Sequence, residues 1–296
     1  MSLVRPVFLL IALVGLSAAQ PTVVHTGIYV LNIGKFDVSS GSYTIDFYLS
    51  MECSSECSPD FEFMNGRASS VDKLVDEPAS KFYRIQASLA ENIDLKDYPF
   101  DEHALSIVLE DKRGTAEQLV YLVDEKSSGI DPNVVMVGWD LVGWNAKEET
   151  HRYEAYGEDY SRFKFGVGIR RIFLASILKT FLPVLFIVIV GLIALLIEER
   201  DKLWTRIGIN TSSLIAAVMF HLNVTSSIPP VGYLTFADKF MIATYVVLTL
   251  NLLSTVMMMV HAKKGDGHRE KLIFRASLYG LPLLAALLYA ALFLVR

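Results

Sequence analysis

The sequence predicts an exported all-β immunoglobulin-like sandwich, followed by an all-α transmembrane domain of four helices. Three observations lead to this prediction. The 296-residue chain is 52% hydrophobic, which is high for a soluble protein. The apolar excess lies after residue 171, whereas residues 20–170 are polar and acidic with many short β-type segments. Residues 1–19 have the form of a secretory signal peptide, with Arg5 before an apolar run and small residues at the end.

The exported part consists of short segments rich in β-branched and aromatic residues, with turn residues between them. Residues 23–51 predict two strands joined by a turn, and no long amphipathic helix interrupts the pattern. About 150 residues of this kind fit one antiparallel sandwich domain. The remaining predicted strands are residues 82–89, 103–109, 118–123, 134–142 and 163–169.

Residues 20–170 contain no motif that indicates an enzyme. They show no glycine-rich phosphate loop, no GxSxG and no HExxH, so we expect neither catalysis nor a cofactor nor a metal site. The net charge of −5 without a basic block argues against nucleic acid as a partner. Cys53 and Cys57 are the only cysteines. A local disulfide or two free thiols is favoured over a metal site that includes Glu52 or Glu56.

Four long apolar segments in the second half are each long enough to cross a bilayer. The predicted spans are residues 172–197, 204–226, 239–261 and 272–295. The signal peptide places the sandwich outside the plasma membrane, or in the periplasm if the host is bacterial. The connector after the third span is basic and is expected inside, which returns the C-terminus to the outside.

The second span is the least apolar of the four, and its periodicity is informative. A stripe with steps of three and four runs along one face of the predicted helix; it comprises Gly208, Ser212, Ile215, Met219, Leu222 and Ser226. Periodicity alone leaves two interpretations open. The helix lines a pore, or it is buried and its polar groups bond to its neighbours.

A set of motifs in a fixed order resembles the pentameric ligand-gated ion channels, the Cys-loop receptor superfamily. Residues 94–101 read DLKDYPFD and are similar to the loop found throughout that superfamily. Gly138-Trp139-Asp140, Arg171 before Pro183 and the stretch IPPVGYLT at residues 228–235 match in the right order. The short third connector is similar to prokaryotic members.

The chain also departs from that superfamily. Glu91 and Leu105 stand where animal receptors carry the two cysteines of the loop, so the disulfide of that loop is absent. The passage after Cys53 is short, which reduces or remakes the expected agonist pocket. No full aromatic box can be assembled by motif. The resemblance suggests ligand contacts only for Phe61, Tyr153, Tyr156 and Tyr160.

The resemblance implies a homopentamer in which the second helix lines an ion pore. The whole stripe would face the pore, with Ile215, Met219 and Leu222 as an apolar gate. Glu198, Glu199 and Asp201 would lie at the inner mouth and favour cations, although Arg200 and Lys202 flank the same place. The residues expected to couple the two domains are Asp37, Asp101, Arg171, Pro229, Pro230 and Tyr233.

The function that follows is a ligand-gated ion channel. The agonist would be a small molecule or an ion, and protons, amines and divalent cations all remain open. A non-conducting membrane receptor and a four-span transporter are the alternatives. Neither needs a helix with an apolar belt between polar ends, and the sequence shows no internal repeat of the kind common in transporters.

Overall fold

The computed structural model describes residues 20–197 and 202–295. The predicted signal peptide, the charged residues Glu198, Glu199 and Asp201, and the C-terminal Arg296 lie outside the described residues. Ten strands come first and four long helices follow. The strands are β1 Thr22–Ile33, β2 Ser42–Cys53, β3 Phe61–Phe63, β4 Gly66–Asp76, β5 Ser80–Ala90, β6 Glu102–Asp111, β7 Leu119–Val123, β8 Gly129–Ile130, β9 Trp139–Tyr153 and β10 Glu158–Arg171.

The strands form two sheets that enclose one apolar core. The first sheet has the order β4-β5-β2-β1-β7, with β8 also paired to β1, and the second has the order β3-β6-β10-β9. Alternate residues of facing strands point into the core, including Val24 and Phe47 from one sheet and Leu105 and Phe163 from the other. The sequence predicts a wholly antiparallel sandwich. The first sheet differs from this prediction, because β1 runs parallel to β7 and to β8.

Several strands differ from the sequence prediction, since the short strands β3 and β8 were not predicted either. The predicted strand at 134–142 begins only at Trp139 and continues to Tyr153. Gly138 has a φ of +88°, which turns the chain just before that strand. Strand β4 was not predicted at all. All of its residues are exposed, so its sequence has no alternation of apolar and polar residues to reveal it.

The two cysteines form a disulfide between Cys53 and Cys57. Both cysteines are half-buried and pack against the core of the sandwich. The peptide N–H of Cys57 donates to the carbonyl of Pro78, which lies in the turn between β4 and β5. The disulfide therefore fastens the shortened passage after β2, and it lies outside the loop at residues 94–101.

The four helices are α1 Phe173–Leu196, α2 Leu203–Thr225, α3 Phe236–Lys263 and α4 Gly267–Val295, each long and apolar enough to cross a membrane. Helices α3 and α4 begin earlier than predicted, at 236 and 267 rather than at 239 and 272. Within its most apolar window, α3 is 44% buried and α4 only 11%. Helix α3 is therefore central in the bundle, and α4 lies at its edge.

Pro183 changes the geometry of α1 without ending it. The turn just before it, Ile177–Phe181, is π-helical. Proline has no N–H to donate and its ring crowds the carbonyl four residues earlier, so a wider turn relieves the conflict. Later in α1, Gly191 lets α3 approach closely, because a Cβ there would lie 2.9 Å from Leu248.

Candidate functional site

The two domains meet at an ion pair between Asp101 and Arg171, which we call the junction cluster together with His103. Arg171 ends β10 where the chain passes into α1, and Asp101 closes the loop before β6. The guanidinium Nε lies 2.8 Å from Asp101 Oδ1 and its Nη2 lies 3.0 Å from Oδ2. Such a two-point contact fixes orientation as well as distance.

His103 completes the cluster from the start of β6, two residues after Asp101. Its Nε2 donates to Asp101 Oδ2 at 2.7 Å. Burial raises the pKa of the Asp101 carboxyl, but the hydrogen bonds from His103 and Arg171 outweigh burial and lower it to about 2. Asp101 is therefore ionised at every physiological pH.

Aromatic rings enclose the junction cluster. The Arg171 guanidinium lies 4.4 Å from the ring centre of Trp139 and 5.1 Å from that of Tyr98. The imidazole of His103 is 5.5 Å from Trp139 and 5.6 Å from Phe36. The sequence prediction missed His103, although its spacing from Asp101 was a usable signal. Residues two apart on a strand lie on the same face.

Asp37 does not join this cluster, contrary to the sequence-based expectation. Its carboxylate instead accepts from the N–H of Ser39 at 2.9 Å and from the Ser39 hydroxyl at 2.7 Å. These two bonds form a local turn between β1 and β2 and lower the pKa of Asp37. The structure therefore brings together Asp101 and Arg171 but not the third predicted member.

The loop at residues 94–101 rests directly on the start of α3. The N–H of Phe236 donates to the carbonyl of Lys96 at 2.7 Å, and the N–H of Ala237 donates to that of Tyr98 at 3.0 Å. These bonds satisfy two N–H groups that a helix N-terminus leaves unpaired. The exported domain thereby caps a transmembrane helix with its own backbone.

Side chains from the same loop reach the α2–α3 linker and the bundle. The hydroxyl of Tyr233 accepts from the N–H of Leu95 at 2.8 Å. The Phe100 ring lies 5.6 Å from Phe181 and 5.8 Å from Phe236, inside the aromatic top of the bundle. Tyr233 is thus the predicted linker residue that contacts the loop. No hydrogen bond from Pro229 or Pro230 to the loop occurs in the described structure.

The predicted stripe of α2 lies on the open face of the single chain. Ile215, Met219 and Leu222 are 59%, 62% and 58% exposed. Gly208, Ser212 and Ser226 are exposed as well. Lipid can cover the apolar middle of this face, but the polar residues near its two ends predict contact with water or with another protein surface.

The opposite face of α2 carries polar groups that bond to neighbouring helices. Asn210 donates to the Thr255 hydroxyl at 3.2 Å, and Asn251 donates to Asn210 at 3.1 Å and to the Gly191 carbonyl at 2.6 Å. Arg206 is 1% exposed on this face, and its Nη1 lies 3.6 Å from the sulfur of Met258. The buried interpretation of the periodicity therefore describes this face of α2, whereas the exposed stripe stays a predicted pore wall.

His221 is a second histidine held against a carboxylate. It lies on α2 near the outer end of the helix, and both of its ring nitrogens contact α3. Nε2 is 2.9 Å from Asp238 Oδ1 and Nδ1 is 2.9 Å from the hydroxyl of Tyr245. We call these three residues the α2–α3 contact. The sequence prediction did not identify it.

The candidate ligand residues fall into two separate places. Tyr153 and Tyr160 face each other across β9 and β10, with ring centres 5.5 Å apart, and Tyr156 is 77% exposed at the hairpin tip. Phe61 lies on β3, and β6 lies between β3 and β10. There it helps to line a cleft of about 680 Å³ with Phe63, Tyr83, Arg67 and Lys112. The structure does not unite Phe61 with the tyrosines.

No family model matches the chain, but several individual proteins are similar to it. A proton-gated ion channel from Gloeobacter violaceus is 23% identical over 306 residues, which cover 93% of this chain and 84% of that protein. The neuronal acetylcholine receptor subunit alpha-10 of Rattus norvegicus is 22% identical over 56% of this chain and 37% of its own length. The serotonin-gated chloride channel mod-1 of Caenorhabditis elegans is 22% identical over 54% of this chain and 32% of its own length.

These similarities support the predicted superfamily. The relatives are ligand-gated ion channels, not enzymes. Together with four apolar helices, they support a multi-pass membrane protein with its N-terminal domain outside. The chain spans only about a third of the two animal proteins, whereas it spans most of the bacterial one. Since one relative is a chloride channel, similarity alone leaves ion selectivity undecided.

Proposed function

We propose that this protein is a homopentameric ligand-gated ion channel of the Cys-loop receptor superfamily, with a pore lined by α2. The observation that carries the proposal is the division of α2 into two faces. One face packs and bonds within the chain, whereas the stripe of small, apolar and polar residues is left exposed. Repeated around an axis, the middle of this stripe forms an apolar ring.

In the proposed pentamer, Ile215, Met219 and Leu222 form the gate. A narrow ring of such side chains holds no stable column of water, so ions are blocked without a physical plug. Gly208 and Ser212 provide a polar inner half and Ser226 the outer mouth. Arg206 takes no part in the ion path, because its side chain is buried on the packed face of α2, away from the stripe.

The proposal includes selectivity for cations. Its support is the acidic sequence at Glu198, Glu199 and Asp201, repeated in each subunit at the inner mouth. The residues just before Arg206 are Trp204 and Thr205, whereas anion channels of the superfamily usually have Pro-Ala there. Reversal potentials measured with sodium and chloride replaced in turn test this part. A reversal potential that follows chloride contradicts it.

The agonist is proposed to act on the exported domain and to open the pore through the junction cluster. The tyrosine pair at Tyr153 and Tyr160 offers two aromatic faces, with which a cationic amine could stack. The cleft beside Phe61 offers a second place with aromatic and charged walls. Protons, amines and divalent cations remain the candidate agonists. Substitution of Tyr160 by Ala is expected to weaken an amine response if the pair binds it.

The gate is tested by making one of its rings polar. Met219→Ser is expected to raise the current without agonist, because a hydroxyl ring lowers the barrier to water and ions. Val218→Ser is the matched control, since Val218 is exposed on the same helix but lies off the stripe. The measurement is voltage clamp of the expressed protein with its surface pentamers counted. Unchanged resting current in Met219→Ser contradicts the gate assignment.

A non-conducting receptor of the same architecture is the second candidate. It is favoured if pentamers reach the surface and carry no current under any pH or amine tested. The exposed stripe would then not line an ion path, and polar substitutions along it would leave the membrane current unchanged.

A further inference from the structure

The α2–α3 contact joins the proposed pore helix to the helix behind it. His221 follows Ala217 by four residues and precedes Val224 by three, and both of these are buried. It is therefore on the packed side of α2, while its neighbour Leu222 and nearby Met219 are on the exposed stripe. Asp238 and Tyr245 are seven residues apart, which places both on one side of α3.

The partner carboxylate is anchored firmly. Asp238 Oδ2 accepts from the N–H and from the hydroxyl of Thr235, both at 2.8 Å, while the N–H of Asp238 donates back to Thr235. This is a capping box, which stabilises the first turn of α3. In the same turn, the N–H groups of Phe236 and Ala237 donate to the carbonyls of Lys96 and Tyr98 in the exported loop. His221 thus holds α2 against the point where the two domains meet.

Few charged groups face this imidazole. From α3, the carboxylate of Asp238 and the hydroxyl of Tyr245 contact it directly. Lys239 of α3 and Asp97 of the exported loop form no hydrogen bond or ion pair with His221 in the described structure. From α4, the hydroxyl of Tyr289 bonds to Thr244 instead. The imidazole is therefore paired with a carboxylate that no described guanidinium or ammonium neutralises.

Both protonation states of the imidazole can keep both contacts. In the neutral ring one nitrogen donates and the other accepts, so Nε2–H donates to Asp238 and the Tyr245 hydroxyl donates to Nδ1. In the protonated ring both nitrogens donate, and the Tyr245 oxygen becomes the acceptor. The bond to Asp238 is then charge-assisted and stronger. A proton therefore stabilises the arrangement in which α2 is drawn towards α3.

We propose that His221 is a proton-sensitive tie between α2 and α3, and that acidification opens the pore by strengthening it. Helix α3 packs on the side of α2 opposite the exposed stripe, so a stronger tie draws Met219 and Leu222 away from the axis. Histidine is suited to this role because its ordinary pKa lies close to neutrality. The inference rests on the proposed pore and names a regulator of it.

Two substitutions at the same position separate charge from packing. His221→Gln stays neutral and keeps a donor and an acceptor, so it is expected to lose the response to acid and to stay mostly closed. His221→Lys is charged throughout the range tested, so it is expected to lose the response while its resting current rises. His25→Gln, which changes an exposed histidine of the sandwich, is the control and should respond like the unmodified protein.

The first measurement is voltage clamp with external pH stepped from about 8 to about 5, protons being the only agonist applied. The unmodified protein is expected to open across the range in which histidine titrates, and His221→Gln to need about tenfold more protons, one pH unit, or to stay closed. Equal pH midpoints in the two proteins, with equal numbers of surface pentamers, contradict the inference.

A second measurement keeps the inference testable if no current is found. A spin label at Ser226→Cys reports the distance between neighbouring outer ends of α2 in purified pentamers. Acid is expected to lengthen this distance, and His221→Gln is expected to abolish the change. Absence of current together with this His221-dependent change contradicts the proposed channel function and supports the tie. An unchanged distance in the unmodified protein, or the same change in both, contradicts the tie.

Discussion

Two histidines of the described structure form a hydrogen bond with a carboxylate, and the two sites differ in what else the carboxylate binds. In the junction cluster, Asp101 is bonded at both oxygens by Arg171 and also by His103. In the α2–α3 contact, Asp238 bonds to His221 and, among the residues that the structure describes, otherwise only to the neutral cap residue Thr235. Arg171 supplies a permanent opposing charge at the first site, whereas a histidine takes that place at the second.

The histidine and carboxylate side chains of the two sites also differ in burial. The side chains of Asp101 and His103 are 1% and 5% exposed, against 15% and 22% for Asp238 and His221. A deeply buried carboxylate needs its partners, and removal of one leaves an uncompensated charge. The carboxylate of the junction cluster is thus deeply buried beside a permanent charge, whereas the carboxylate of the α2–α3 contact is less buried and faces an imidazole. The predictions below test each half of this comparison.

The largest effect is expected from the permanent charge. Arg171→Ala removes the guanidinium that links β10 to the loop resting on α3, so gating is expected to fail while pentamers still reach the surface. Coupling energies between sites commonly correspond to about 5- to 150-fold changes, and the loss should lie at the upper end. Arg170→Ala is the matched control, because the neighbouring arginine is exposed. Normal currents in Arg171→Ala would show that this residue does not couple the domains.

A smaller effect is expected on the stability of the domain junction at low pH. The pKa of Asp101 is about 2 in the folded protein, below its usual unfolded value of about 3.9. A lowered folded pKa means that the stabilisation is complete above about pH 4 and is lost as pH falls towards 2. The loss is of the order of 2–3 kcal/mol.

Unfolding of the purified protein from pH 5 to pH 2, compared with Asp101→Asn, measures this loss. The variant is expected to be less stable at pH 5 and to approach the unmodified protein at pH 2. Parallel curves over the whole range would show that Asp101 is not held ionised by its neighbours.

Sequence patterns predicted the class of fold because both domains have strong periodic signals. Alternation marks the core strands, and long uncharged runs mark the helices. The all-exposed strand β4 could not be predicted in this way, since its side chains do not alternate between core and solvent. The start of β9 was predicted too early. The apolar residues at 134–137 resemble a strand, whereas the chain turns at Gly138 before β9 begins.

The functional contacts were harder to predict than the fold. The motif around Asp101 and the position of Arg171 were visible because they lie in recognisable sequence contexts. His221, Asp238 and Tyr245 belong to different helices, and no spacing rule joins residues across a bundle. Asp37 shows the opposite error. Its carboxylate bonds to the adjacent Ser39, and local turn chemistry takes the place of the expected contact across the junction.

The smallest predicted effect concerns His103 and tests the comparison most directly. In His103→Gln, Asp101 keeps both bonds from Arg171 and the amide can replace the lost donor. The expected cost is about 1 kcal/mol of stability, close to the net value of one hydrogen bond. The pH midpoint of gating should stay that of the unmodified protein. If His103→Gln removes the acid response as completely as His221→Gln does, the junction cluster senses protons too. A neighbouring arginine would then not be enough to fix the ionisation state of a carboxylate–histidine pair in this protein.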